Sequence, residues 1–143
     1  MKYPAQFEMQ DDGGYTITFR DIPEAISQAD SIADARVAAL DALVTALEFY
    51  FEDQRTVPSP SAAKDGEHLI ALPPSLCAKV ELLALMHERR VRPADLARRM
   101  HVKPQEVTRL MDLRHATKID TIGAAFSALG SELVIEVREP AFA

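Results

Sequence analysis

Residues 3–19 constrain the fold more tightly than any other stretch of this chain. Tyr3, Ala5, Phe7 and Met9 fall on one parity, Tyr15, Ile17 and Phe19 fall on one parity of "YTITF", and "DDGG" lies between the two runs. Apolar side chains at every second position put one strand face on a core, and glycines accept the positive φ of a tight reversal. An antiparallel β-hairpin is predicted. After the break at Pro23, "EAISQAD" supplies a short third strand. From Ser31 the apolar period lengthens: Leu40, Leu43, Val44, Leu47 and Phe51 recur on one helical face, and Ser31 with Asp34 three residues on resembles a capping box. A helix over about residues 31–53 should therefore cover the sheet.

"QRTVPSPSAAKDG", residues 54–66, reads as a loop whose prolines cannot continue the helix. "HLIAL" reads as a last strand, and Pro73-Pro74 closes a unit of residues 1–74. A core of that size is marginal by itself, so dimerisation or a partner is expected. From Ser75 the pattern is helical. Leu76, Val80, Leu83 and Met86 or His87 line one helix; residues 94–100, 104–111 and 120–129 form three more, with Asp120 as an N-cap and Gly130 as a stop. The closing "ELVIEV" reads as an apolar strand with no partner in its own domain, which a strand from a second subunit would satisfy. The expected fold class is α+β: a small sheet with one helix, then an all-α unit, residues 75–143, with a short terminal strand.

Charge divides at the same place. Residues 1–75 carry 13 acids and 5 Lys or Arg, a balance of −8, whereas residues 89–118 carry 9 Lys or Arg and 3 acids. Opposite signs in two halves suggest two partners of opposite sign. The lone cysteine, Cys77, excludes an intrachain disulfide and reads as a small buried hydrophobe. No stretch is long and apolar enough for a membrane span, and the start lacks the apolar core of a signal peptide, so a cytoplasmic location is expected.

The basic segment, "PADLARRMHVKPQEVTRLM", can be placed on helix, turn and helix. Leu96, Ala97 and Met100 face inward on the first helix, Val102 plugs the turn, and Val107, Leu110 and Met111 face inward on the second. That leaves Lys103, Gln105, Glu106, Thr108, Arg109 and Asp112 exposed. Small Ala97 lets the helices cross closely, and Pro104 suits a first helical position. Gln and Arg can bond bidentately to base edges, Thr can reach an edge or a methyl, and Lys and Arg can meet phosphates.

Residues 94–130 resemble the helix-turn-helix of Xre/Cro-type repressors in "LARRM", the turn residue Val102, "QEVTRL" and "KIDTIGAAFSALG". They depart from it at His101, where a glycine is frequent. The N-terminal half, with "GGY", "FRDIPEA" and "SQAD" ahead of a helix led by a capping serine, resembles the HicB family, and "YFED", "VPSPS" and "EVTRLMDLRHATKID" extend that resemblance over nearly the whole chain. It implies an antitoxin that neutralises a HicA-like mRNA-cleaving toxin, represses its own operon, and has a partial ribonuclease H-like N-terminal domain without nuclease activity. Under that reading Lys103, Gln105, Thr108 and Arg109 read operator bases, and Arg98, Arg99, Arg114, His115 and Lys118 lie at phosphates. Asp11, Asp12, Tyr15, Asp21 and Glu24 near the hairpin would meet the basic toxin, and a homodimer or higher homo-oligomer would bind DNA.

Other chemistry fits less well. Asp21 and Asp41 are the only tempting pair for a two-metal ribonuclease, with no sign of a third ligand. His68, His87, His101 and His115 lack metal-like spacing, so neither a catalytic residue, a metal nor a cofactor is expected. The rival from another class is a stand-alone transcriptional repressor whose N-terminal domain senses a ligand or protein.

Overall fold

A computed structural model describes residues 1–139. Its elements run β1 (Lys2–Met9), β2 (Tyr15–Phe19), β3 (Ile26–Ala29), α1 (Ile32–Glu52), β4 (His68–Ala71), α2 (Pro74–Glu88), α3 (Pro93–Met100), α4 (Pro104–Leu110) and α5 (Ile119–Ala128). This is an α+β arrangement, and the strands pair antiparallel in the order β3-β2-β1-β4. Ala5 faces Phe19, Phe7 faces Ile17 and Met9 faces Tyr15, which is the register the alternating side chains demand. The hairpin turns through Gly13 at φ +91°, where a Cβ would be strained.

Helix α1 begins where its cap dictates: the Ser31 hydroxyl accepts from the Asp34 backbone N–H at 3.1 Å. It connects β3 at one sheet edge to β4 at the other and so crosses the sheet, burying Ala39, Leu43, Leu47 and Phe51. The loop that follows is tied down. The Tyr3 hydroxyl donates to the Pro58 carbonyl at 2.7 Å, and the Asp21 carboxylate accepts from the Ser61 N–H at 2.8 Å and from its hydroxyl at 2.9 Å. The Arg20 guanidinium donates to Glu67 at 2.9 Å and holds that carboxyl down at about 2.

Burial, reinforced by the charge of Asp21, pushes the Tyr3 phenol up to about 12. Because the folded value lies above the ordinary value of 10.0, the stability Tyr3 contributes is intact below about pH 10 and is lost as pH rises through about 12. An alkaline titration of phenolate absorbance should show a late-ionising tyrosine coincident with unfolding. Tyr3→Phe should remove it, and a late step that persists in that variant would assign the shift elsewhere.

Two clusters of buried apolar side chains share α2. Val80 and Leu83 join Tyr3, Ile17, Phe19, Leu43 and Leu47 against the sheet, together with Leu113. Leu82 and Met86 join Leu96, Val107, Leu110, Ile122 and Phe126 among the helices. A helix covered on two sides is apolar around most of its circumference, which explains why α2 lacks a clean amphipathic stripe.

Three expectations need correction. Residues 132–137 form no strand: backbone groups of a strand need a partner ladder, none lies beside them in this chain among the described residues, and Val134, Ile135 and Val137 are 72%, 69% and 94% exposed. Asp120 is not the N-cap of α5; Lys118 holds that position and Asp120 sits in the first turn, where a carboxylate still favours the helix dipole. Helix α2 starts at Pro74, one residue earlier than the change of pattern suggested, because a proline lacks only an N–H that the first turn leaves unpaired anyway.

Candidate binding surfaces

The segment between α3 and α4 takes the conformation its packing requires. His101 adopts the left-handed region at φ 57°, ψ 41°, and the Val102 N–H bonds the Ala97 carbonyl at 3.1 Å. The departure from glycine at this position is thus absorbed by histidine itself. Leu96, Ala97, Val107 and Leu110 are buried, so the opposite flank of α4 is left to solvent. Gln105, Thr108, Arg109 and Asp112 lie three or four residues apart and share that flank, with Lys103 at the N-cap.

The exposed cations are not equally free. Arg98 is bonded to Asp95, and Arg109 stands 3.4 Å from Glu106 on its own helix. Both pairs are surface contacts of small worth. Arg99, Lys103 and Lys118 form no ion pair among the described residues, and the His115 side chain is exposed. Arg114 differs: its guanidinium reaches α1, bonding Glu48, the Asp41 carboxylate at 3.2 Å and the Thr45 hydroxyl at 2.8 Å. The hydrogen bond to Glu48, more than the charge beside it, raises its pKa further. It is turned toward the sheet-bearing half rather than toward the face that carries Gln105.

One important side chain escaped the sequence reading. Lys79, on α2, is 0% exposed and donates to the carbonyls of Arg109 at 3.4 Å, Asp112 at 2.7 Å and His115 at 2.9 Å. It closes the C-terminal end of α4, which has no glycine there to satisfy its last carbonyls. Burial lowers its pKa, opposed by Asp112. The sequence clue was a lysine between Ala78 and Val80 on a helix apolar on both sides.

The acidic half splits the expected contact set in two. Asp11 and Asp12 are exposed at the β1–β2 turn, where Asp12 accepts from the Gly14 N–H at 3.0 Å, and Tyr15 is half-buried beside them. Gln28 and Asp30 join this end and border a shallow recess with Asp12 and Tyr15; sequence reasoning missed both. Asp21 and Glu24 lie beyond the other end of β2 and are already engaged. Asp21 holds Ser61, and Glu24 accepts the Tyr50 hydroxyl at 2.8 Å, a bond that lowers its own pKa. Asp41 is likewise held by Arg114, so each of Asp21 and Asp41 is engaged by its own partner. Among the described residues no group of three or more His, Cys, Asp and Glu is placed to hold a metal ion.

A sheet crossed by one helix, acidic at its hairpin end and followed by small helices with an exposed basic flank, is an arrangement of binding surfaces. The family model described as HicB-like antitoxin of bacterial toxin-antitoxin system matches residues 2–81, more than half of the chain. The chain belongs to this antitoxin family. It is 45% identical over 133 residues to the antitoxin HicB of Escherichia coli, covering 93% of this chain and 96% of that one. It is also 45% identical over 137 residues to antitoxin HicB 1 of Photorhabdus laumondii (96% and 87% covered), and 33% identical over 129 residues to antitoxin HicB of Pseudomonas fluorescens (90% and 88%). Membership of an antitoxin family implies a toxin partner. No helix among the described residues is long and apolar enough to cross a membrane.

Proposed function

We propose that this chain is a cytoplasmic antitoxin and autorepressor: residues 1–74 bind and neutralise a HicA-like mRNA-cleaving toxin, and residues 75–143 bind operator DNA as a dimer. The observation that carries the DNA half of the reading is the single exposed flank of α4, where Gln105, Thr108 and Arg109 stand beside Lys103 while Val107 and Leu110 anchor the helix. We read α3 and α4 as a helix-turn-helix whose second helix enters the major groove. Arg98, Arg99, Arg114, His115 and Lys118 then lie toward phosphates, Arg114 after leaving α1. On this reading strands β1–β4 with α1 form the partial ribonuclease H-like unit, and Asp11, Asp12 and Tyr15 offer the toxin an accessible acidic end, which favours fast association with a basic partner. Asp21 and Glu24 act there only if they give up Ser61 and Tyr50.

Growth rescue on co-expression with a HicA-like toxin, together with copurification, tests the antitoxin half; unrelieved toxicity without a complex would refute it. For the repressor half, Arg109→Ala should lower operator affinity by about 1–3 kcal/mol and relax sequence preference. Unchanged affinity in a gel-shift titration would show that α4 does not read bases.

A further inference from the structure

A cavity of about 440 Å³ lies where the end of α1, the end of α2, the α2–α3 turn and the end of α4 meet. Its apolar wall includes Phe51, Leu83, Met86 and Val91, all buried. Its polar border is acidic: Glu48, Glu52 and Asp112 line it, and no lysine or arginine does. Glu48 is already bonded to Arg114, which leaves Glu52 and Asp112 without an ion-pair partner among the described residues. The ring of His87 completes the lining. Its Nδ1 lies 3.4 Å from the Thr56 hydroxyl, but its Nε2 is sealed from solvent with no hydrogen-bond partner.

We propose that this crevice is a binding site for a small organic cation: an apolar or aromatic body seated on Phe51, Leu83 and Met86, with an ammonium group at Glu52 and Asp112. The volume falls within the usual range for small-molecule sites, about 300–1,000 Å³, and an apolar lining with a few convergent polar groups is their usual composition. A neutral or anionic ligand of the same shape gains nothing from the carboxylates. Thr108 and Asp112 also belong to the flank of α4, so an occupant touches the helix that we read as base-contacting. Occupancy itself does not depend on that reading.

Tryptamine is a suitable probe, compared with neutral indole-3-ethanol and anionic indole-3-acetate, each titrated into the full chain by calorimetry and by NMR of the His87 ring and Met86 methyl. The expected result is saturable one-to-one binding of tryptamine, at least about tenfold tighter than either analogue, with shifts centred on His87 and Met86. Glu52→Gln, an exposed change that leaves the fold intact, should erase most of the preference for the amine, and His87→Phe should weaken all three probes. Equal binding of the three, shifts centred elsewhere, or no binding at millimolar tryptamine would overturn the proposal. Operator affinity measured with and without saturating tryptamine then reports coupling separately, because binding is read first in the absence of DNA.

Discussion

Replacing Lys79 with methionine should destabilise the chain by about 3 kcal/mol and lower its melting temperature by on the order of 10 °C. Methionine fills nearly the same volume, so the loss is not one of packing. It removes the donor shared by the carbonyls of Arg109, Asp112 and His115. Each hydrogen bond to a charged group contributes about 1.5–3 kcal/mol, and each buried acceptor left unpaired costs about 1–3; desolvation of the ammonium offsets part of the sum. The cation also faces the negative end of α4. Because all three carbonyls lie at or after the end of α4, the operator binding that we propose for α4 should weaken with stability, whereas strands β1–β4 should keep their slow-exchanging amides. A melting temperature within about 2 °C of the parent would mean that the three carbonyls find water instead.

If the chain binds operator DNA as the dimer we propose, a stop codon after Leu133 should leave the fold intact and convert it to a monomer, with operator affinity lower by about 100-fold or more. Leu133 is retained because it packs against the helical cluster. Val134, Ile135 and Val137 beyond it are exposed and unpaired, as a segment waiting for the same segment of a second copy would be. Two such segments side by side supply the ladder that one lacks and shield apolar side chains from water. Sedimentation of the truncated and full chains decides the matter. A dimer that survives truncation would place the interface elsewhere, for example on the groove that Val102 and Ala124 help to line.

Local signals foretold local structure well. The hairpin register, the Ser31 cap and the proline opening α4 follow from side-chain parity, a hydroxyl and a fixed φ, all written within a few residues. The terminal strand failed because an apolar run specifies a strand only when another strand is available. Asp120 was displaced as N-cap by Lys118, whose extended backbone immediately precedes the first helical residue, so that Asp120 already lies inside the helix. The candidate site was readable as a set of exposed residues on α4, but not as a set of partners. Nothing near residue 114 in sequence announces Asp41, Thr45 and Glu48, roughly seventy positions earlier, and Lys79 meets its carbonyls 30 to 36 positions later. Long-range pairings of polar groups leave no periodic trace.

The attachment of Arg114 to α1 has a consequence for ion release. Lysines and arginines that are bare before binding displace condensed counterions from DNA, and each steepens the fall of affinity with salt by about 0.9 in the logarithmic slope. Arg114 arrives already neutralised by Asp41 and Glu48. If it leaves them for a phosphate, the two carboxylates recruit cations from solution as the DNA gives one up, and the exchange is nearly balanced. The salt slope of operator binding should therefore undercount the phosphate contacts by about one, and Asp41→Asn with Glu48→Gln should restore the missing increment. On this reading α1 serves as an internal counterion, a piece of polyanion that the protein carries for its own arginine.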